Sequence, residues 1–120
     1  SLANELRILR QLRHPNIVLI HGAVVDVEQQ RIGLVLELVQ GQTVTDFMGH
    51  GPHGQNLPDL CSRYQVYLGV CRAFLYLHSR RPAIVHGDLK SANVIVEGSG
   101  RGTRAKLLDF GLARVLTRHA

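Results

Sequence analysis

His86-Gly87-Asp88-Leu89-Lys90-Ser91-Ala92-Asn93, and then Leu107-Leu108-Asp109-Phe110-Gly111, form the most distinctive pattern in the sequence. Between them lie two short apolar runs, Val94 to Val96 and Ala105 to Leu108, separated by the glycine-bearing turn Gly98 to Gly102. Such a pattern reads as two short strands joined by a turn. Their pairing brings Asn93, at the start of the first strand, next to Asp109, at the end of the second. A polar turn, His86 to Asn93, and a carboxylate thus converge at one end of a small hairpin.

Working outward, Ile84-Val85 leads into the polar turn, and Pro82 ends the helix before it. Asp59 to Ser79 is the longest helix candidate. Leu60, Tyr64, Tyr67, Leu68, Cys71, Leu75 and His78 are assigned to one face, with Val66, Val70, Phe74 and Leu77 filling much of the rest. A helix apolar on so many sides is usually buried inside a larger domain. Gly49 to Pro58 holds three Gly and two Pro and reads as a loop. Thr43 to Met48 suits a short helix, and Val39 to Gly41 a linker. Arg31 to Leu38 and Ile17 to Val25 read as strands, joined by the polar hairpin loop Asp26 to Gln30. Leu2, Leu6, Leu9 and Leu12 recur at helical spacing, and that helix ends before His14-Pro15-Asn16, because the residue preceding a proline disfavours the helical region. The pattern is α+β, without an internal repeat.

The composition narrows the function classes. The chain has 120 residues, 45% apolar, with 14 basic and 9 acidic side chains and a formal net charge of +5. Disorder is excluded by the abundance and periodicity of apolar residues. A membrane span is excluded because runs such as Ile17 to Ile20 fall far short of the roughly 20 residues needed. Nucleic-acid binding is not expected: the arginines are scattered and only six aromatics are present. Cys61 and Cys71 lie on one helix, too far apart to bridge, and read as free thiols. With no signal segment apparent, the default location is cytoplasmic. His50 and His53 offer only two ligands in a loop, too few for a metal site. Gly98 to Gly102 lacks the strand-then-helix context of a phosphate loop.

The constellation at 86–111 suits phosphoryl transfer from a nucleotide. That chemistry needs divalent metal to neutralise phosphates and a carboxylate to orient the attacking hydroxyl. Asp88 can be that carboxylate, Lys90 can lie beside the moving phosphate, Asn93 offers a neutral oxygen to a metal, and Asp109 a charged one. Each piece is weak alone; in this order and spacing they are specific.

These residues resemble the signature set of the protein kinase catalytic domain. HGDLKSAN looks like its catalytic loop and LLDFGLAR like the segment that opens its activation loop. NELRILRQLRHPNIV is similar to helix αC and the fourth strand, and LVLELVQGQTV to the fifth strand and hinge, so the resemblance covers nearly the whole chain. It implies a partial bilobal fold: residues 1–38 as part of the small lobe, 39–41 as the hinge, 42–120 as the start of the large lobe. It implies Asp88 as catalytic base, Lys90 as stabiliser of the transferring phosphate, and Asn93 and Asp109 as magnesium ligands. Glu5 becomes the αC acid, Leu36 the gatekeeper, and Ile95 the residue under adenine. The Glu37 carbonyl and the Val39 amide would meet that base. Leu9, Ile20, His86 and Phe110 would form an apolar stack linking the lobes. ATP and Mg2+ are the implied cofactors, and a protein hydroxyl the implied substrate. Lys90 and HPNIV fit Ser/Thr or tyrosine-kinase-like members better than tyrosine kinases.

Three departures accompany the resemblance. The sequence opens inside the αC-like helix, without a Gly-rich loop or ATP-anchoring lysine. It stops nine residues after Gly111. Gly87 stands where an arginine that grips an activation-loop phosphate is usual, which points to a kinase not switched on in that way. The 120 residues alone are therefore expected to be inactive, and to expose Leu9, Phe74 and Leu75. Two alternatives stand beside the protein kinase: a small-molecule kinase resembling aminoglycoside or choline phosphotransferases, which Gly87 favours, and an inactive kinase-like interaction module.

Overall fold

The computed structural model describes residues 2–49, 57–85, 90–108 and 114–115. His86, Asp88, Asp109, Phe110, His50 and His53 lie outside the described residues. In chain order the elements are α1 (Leu2–Leu9), β1 (Ile20–Asp26), β2 (Arg31–Leu36), β3 (Gln42–Thr43), α2 (Val44–Phe47), α3 (Leu60–His78), β4 (Ile84–Val85), β5 (Val94–Glu97), β6 (Arg104–Leu107) and β7 (Arg114–Val115). Single 3-10 turns occupy Ser91–Asn93 and Gly100–Gly102. The architecture is α+β, with small antiparallel sheets ordered β1-β2, β3-β5-β6 and β4-β7.

The β1–β2 hairpin turns where the sequence is most polar. Asp26 Oδ1 accepts from the backbone N–H groups of Glu28 and Gln29 at 3.1 and 3.2 Å, closing the turn, and Gln30 takes φ 53°. Strand β1 is shorter than the apolar run 17–25. Ile17 instead bridges in parallel to Leu107, and Val18 N–H donates to the Leu107 carbonyl at 2.9 Å. The first residues of that run thus leave the hairpin and bind it to β6. Likewise Thr43 is not the first turn of a helix. It pairs in β3 with Ile95 and caps α2, its hydroxyl accepting from Asp46 N–H at 3.2 Å.

Helix α3 has the expected ends. Asp59 caps it by accepting from Ser62 N–H at 3.1 Å; the Ser62 hydroxyl first and that N–H second hold the Asp59 carboxyl below its ordinary range, and Ser79 closes the helix ahead of Pro82. Its buried face, however, is Ser62, Val66, Gly69, Ala73 and Leu77. The face assigned from the sequence points mostly to solvent: Leu60, Tyr64, Tyr67, Cys71, Leu75 and His78 are exposed. The reason is closeness of packing. Small residues let α3 approach β6 and the loop before β1, so the seam is marked by size rather than by hydrophobicity.

One core unites the elements. Leu9, Leu12, Ile17 and Ile20 pack with Val66, Ala73 and Leu77 of α3, with Ile84, and with Val94, Val96, Ala105 and Leu107 of the β5–β6 hairpin. Leu77, Ile84 and Leu107 are completely enclosed, each contributing about 1.5–3 kcal/mol. Leu9 is therefore covered, contrary to expectation, because α1 folds onto this core. Phe74 is half-buried with its ring 5.7 Å from that of His78, and Leu75 is exposed as expected.

Candidate active site

The β5–β6 hairpin positions the polar residues. Its register pairs Val94 with Leu107, Ile95 with Lys106 and Val96 with Ala105. One step beyond the last pair, Leu108 N–H donates to the Asn93 carbonyl at 2.8 Å. On the other side Asn93 N–H donates to the Lys90 carbonyl at 2.9 Å, closing the 3-10 turn. Asn93 is buried and Lys90 exposed. The loop carrying Lys90 and Asn93 is thus fastened to the residue that covalently precedes Asp109. Asp88 and Asp109 themselves lie outside the described residues.

The segment after β2 forms a second border. Leu36 ends β2 opposite Ile20, and Glu37, Leu38 and Val39 continue outside regular secondary structure. Glu37 is held twice by Leu19: its N–H donates to the Leu19 carbonyl at 2.9 Å, and its Oε1 accepts from Leu19 N–H at 2.9 Å. Lys106 Nζ reaches both carboxylate oxygens, at 3.0 and 3.1 Å. Partial burial works against the Glu37 charge, but the Leu19 N–H and the Lys106 ammonium outweigh it and hold the carboxyl below its ordinary range. Among the described residues, the Glu37 carbonyl and the Val39 amide accept and donate no hydrogen bond. The side chain is therefore pinned while the outward backbone groups remain available. Ile95, half-buried on β5, lies across from Thr43. Gly41 carries the chain past β5 so closely that a Cβ there would run into the Val96 carbonyl.

Glu5 lies on α1. Leu9 and Ile20, two members of the expected interlobe stack, belong to the same core, whereas His86 and Phe110 fall outside the described residues. No group of His, Cys, Asp or Glu able to hold a metal occurs among the described residues. Sequence reasoning missed two anchoring residues. Asn16 donates from Nδ2 to the Ala105 carbonyl at 2.9 Å and accepts at its own carbonyl from Leu107 N–H at 2.8 Å. Lys106 is the other; a lysine inside an apolar strand was the available signal, since burial requires a partner.

The comparison with known families agrees with this layout. The family model described as "Protein kinase domain" matches residues 1–120. The chain belongs to the protein kinase family. Its relatives include three Arabidopsis thaliana proteins. "Probable serine/threonine-protein kinase SIS8" is 38% identical over 112 residues, covering 93% of this chain and 10% of the relative. "Cysteine-rich receptor-like protein kinase 4" is 36% identical over 116 residues, 96% and 16% respectively. "Serine/threonine-protein kinase CTR1" is 35% identical over 111 residues, 92% and 13%. This kinase chain thus spans a small part of the length of the relatives it matches. Among its described residues no helix is long and apolar enough to cross a membrane.

Proposed function

We propose that this kinase chain carries the hinge and catalytic loop of an enzyme that moves the terminal phosphoryl group of ATP to Ser or Thr hydroxyls of proteins. One observation carries the reading: the Leu108–Asn93 hydrogen bond, which couples the loop bearing Lys90 and Asn93 to the strand entering Asp109. Residues 1–38 then contribute to the small lobe, 39–41 are the hinge and 42–120 begin the large lobe.

The residues fit a nucleotide. The unengaged Glu37 carbonyl and Val39 amide form an acceptor–donor pair suited to an adenine edge. Leu36 and Ile95 supply apolar surface beside it. Asn93 and Asp109 are oxygen donors of the kind magnesium requires. When bound, Mg-ATP supplies the phosphoryl group and the charge neutralisation for its transfer. Asp88 orients the substrate hydroxyl and accepts its proton. Lys90 stabilises the charge that develops on the transferred group. Glu5 is the αC acid that organises the phosphate side. We place this catalytic part on the cytoplasmic side, in keeping with the free thiols of Cys61 and Cys71.

The test is phosphate incorporation from radiolabelled ATP by the full-length protein, with Ser- and Thr-containing protein substrates and a small aminoalcohol as separate acceptors. Incorporation into Ser or Thr, lost in Asp88→Asn and Asp109→Asn, supports the reading. Transfer to the aminoalcohol alone would replace it with a small-molecule kinase. No transfer in the intact wild type would leave an interaction module.

A further inference from the structure

On the side of α3 that faces the β5–β6 turn lies a polar cavity of about 230 Å³. Arg72 of α3, Arg101 of the turn and Arg104 of β6 line it, together with Gln65, Asn16 and Thr103. Three arginines from three separate elements border one concave space. Among the described residues none of the three is paired with a carboxylate. Thr103 is 94% buried by the complement of its 6% exposure, and its hydroxyl makes no hydrogen bond. An enclosed hydroxyl without a partner is uncommon, because losing water costs free energy that a partner normally offsets. Only Arg63 Nε shares that condition among the described residues, and it does not line the cavity.

We propose that this cavity binds a phosphate group, carried by a phosphorylated side chain or as free phosphate. A volume near 230 Å³ is below the roughly 300–1,000 Å³ of sites for drug-sized ligands and suits a compact anion. A phosphate group carrying nearly two negative charges suits a space bordered by three arginines, where a single carboxylate charge would offset less of the positive field. Arginine rather than lysine is the residue suited to that geometry. Among the described residues, the carboxylate nearest in register is Glu97, which pairs with Arg104 across the strands without an ion pair to it. The positive field also reaches outside the cavity. His14, whose Nδ1 accepts from Asn16 N–H at 3.0 Å, has its pKa lowered first by burial and then by Arg72.

The experiment is an NMR titration of the labelled full chain at fixed ionic strength. The probes are inorganic phosphate, a phosphoserine peptide, its unphosphorylated counterpart and a short oligonucleotide. The expected result is saturable binding of the first two, with shifts at Thr103 and Arg104 and a rise in the His14 pKa as the anion offsets Arg72. A phosphopeptide that binds at least tenfold tighter than phosphate identifies a protein source; equal affinity identifies free phosphate. Arg101→Ala with Arg104→Ala should weaken binding about tenfold or more, and both side chains are exposed, so folding should be retained. Glu97→Gln should tighten binding. Shifts reproduced by sodium chloride, variants that bind like the wild type, or an oligonucleotide that binds as tightly as the phosphopeptide would each overturn the proposal.

Discussion

Lys106 and Glu37, 69 positions apart, form an ion pair in which the ammonium lies 3.0 and 3.1 Å from the two carboxylate oxygens. Lys106 is only 9% exposed. The pair ties the segment after β2 to the strand that leads toward Asp109, joining the two borders of the candidate site. Removing either partner leaves the other poorly solvated. Glu37→Ala also deprives Leu19 N–H of its acceptor and should cost about 2–3 kcal/mol, the range for hydrogen bonds to charged groups. Lys106→Met should cost less, about 1–2 kcal/mol, because Glu37 keeps its Leu19 bond and the methionine refills the space. Denaturant midpoints of both variants and of the double variant test this. A double variant whose loss equals the sum of the single losses would deny the coupling.

The same carboxylate makes stability depend on acid pH. The folded protein holds Glu37 below its ordinary value of 4.5, so the folded state binds a proton less readily than the unfolded chain. The stabilisation is complete above that ordinary value and is lost as pH falls through the lower folded value. Asp59, lowered by its Ser62 bonds, acts in the same direction. Thermal midpoints measured from pH 6 down to pH 3 should fall for the wild type. For Glu37→Gln they should start lower and fall less, so that the two curves converge toward pH 3. Parallel curves would mean that Glu37 is not the group responsible.

Gly69 sits where α3 meets the loop before β1. A Cβ there would lie 2.6 Å from Asn16 Nδ2 and 3.3 Å from the Ala105 Cβ. Asn16 is not free to retreat, since its amide is bonded to the Ala105 carbonyl. Gly69→Ala gains about 1 kcal/mol of helix propensity but incurs overpacking of about 1–3 kcal/mol. A net destabilisation is expected, accompanied by faster hydrogen exchange at Leu107 N–H, which donates to the Asn16 carbonyl. Alanine at this position with unchanged stability would show that the helix can shift without loss.

The contrast between these elements explains what could be read in advance. The β5–β6 hairpin was legible because its turn is glycine-bearing and its strands are short and apolar, and Asn93 and Leu108 do meet at its end. The ends of α3 were legible from Asp59 and Pro82. Its buried face was not. Apolar residues surround the helix, and the seam runs through Ser62, Gly69 and Ala73, whose smallness carries no hydrophobic signal. The Glu37–Lys106 pair was likewise hidden, because it depends on two registers, β1 with β2 and β5 with β6, that only the assembled core fixes. Of the candidate site residues, the hinge, Ile95, Lys90 and Asn93 fall on one connected framework.

In that framework Gly41 links the fold most directly to the proposed adenine-binding segment. It lies two positions after Val39 and precedes the Gln42–Val96 and Thr43–Ile95 pairs of β3 with β5. A Cβ at Gly41 meets the Val96 carbonyl, which is backbone and cannot rotate away. Gly41→Ala must therefore push the chain off β5, displacing the Val39 amide on one side and the cover of Ile95 on the other. The expected outcome is a loss of about 1–3 kcal/mol in stability, as for other overpacked positions. Affinity for an ATP analogue, measured by calorimetry on the full-length protein below its unfolding transition, should fall about tenfold, equivalent to about 1.4 kcal/mol. Leu38→Ala is the control, because Leu38 immediately precedes the proposed hinge and its side chain is 83% exposed. It should change neither quantity. Unaltered nucleotide affinity in Gly41→Ala, with stability reduced, would separate the hinge from the β3–β5 pairing and refute the proposed link.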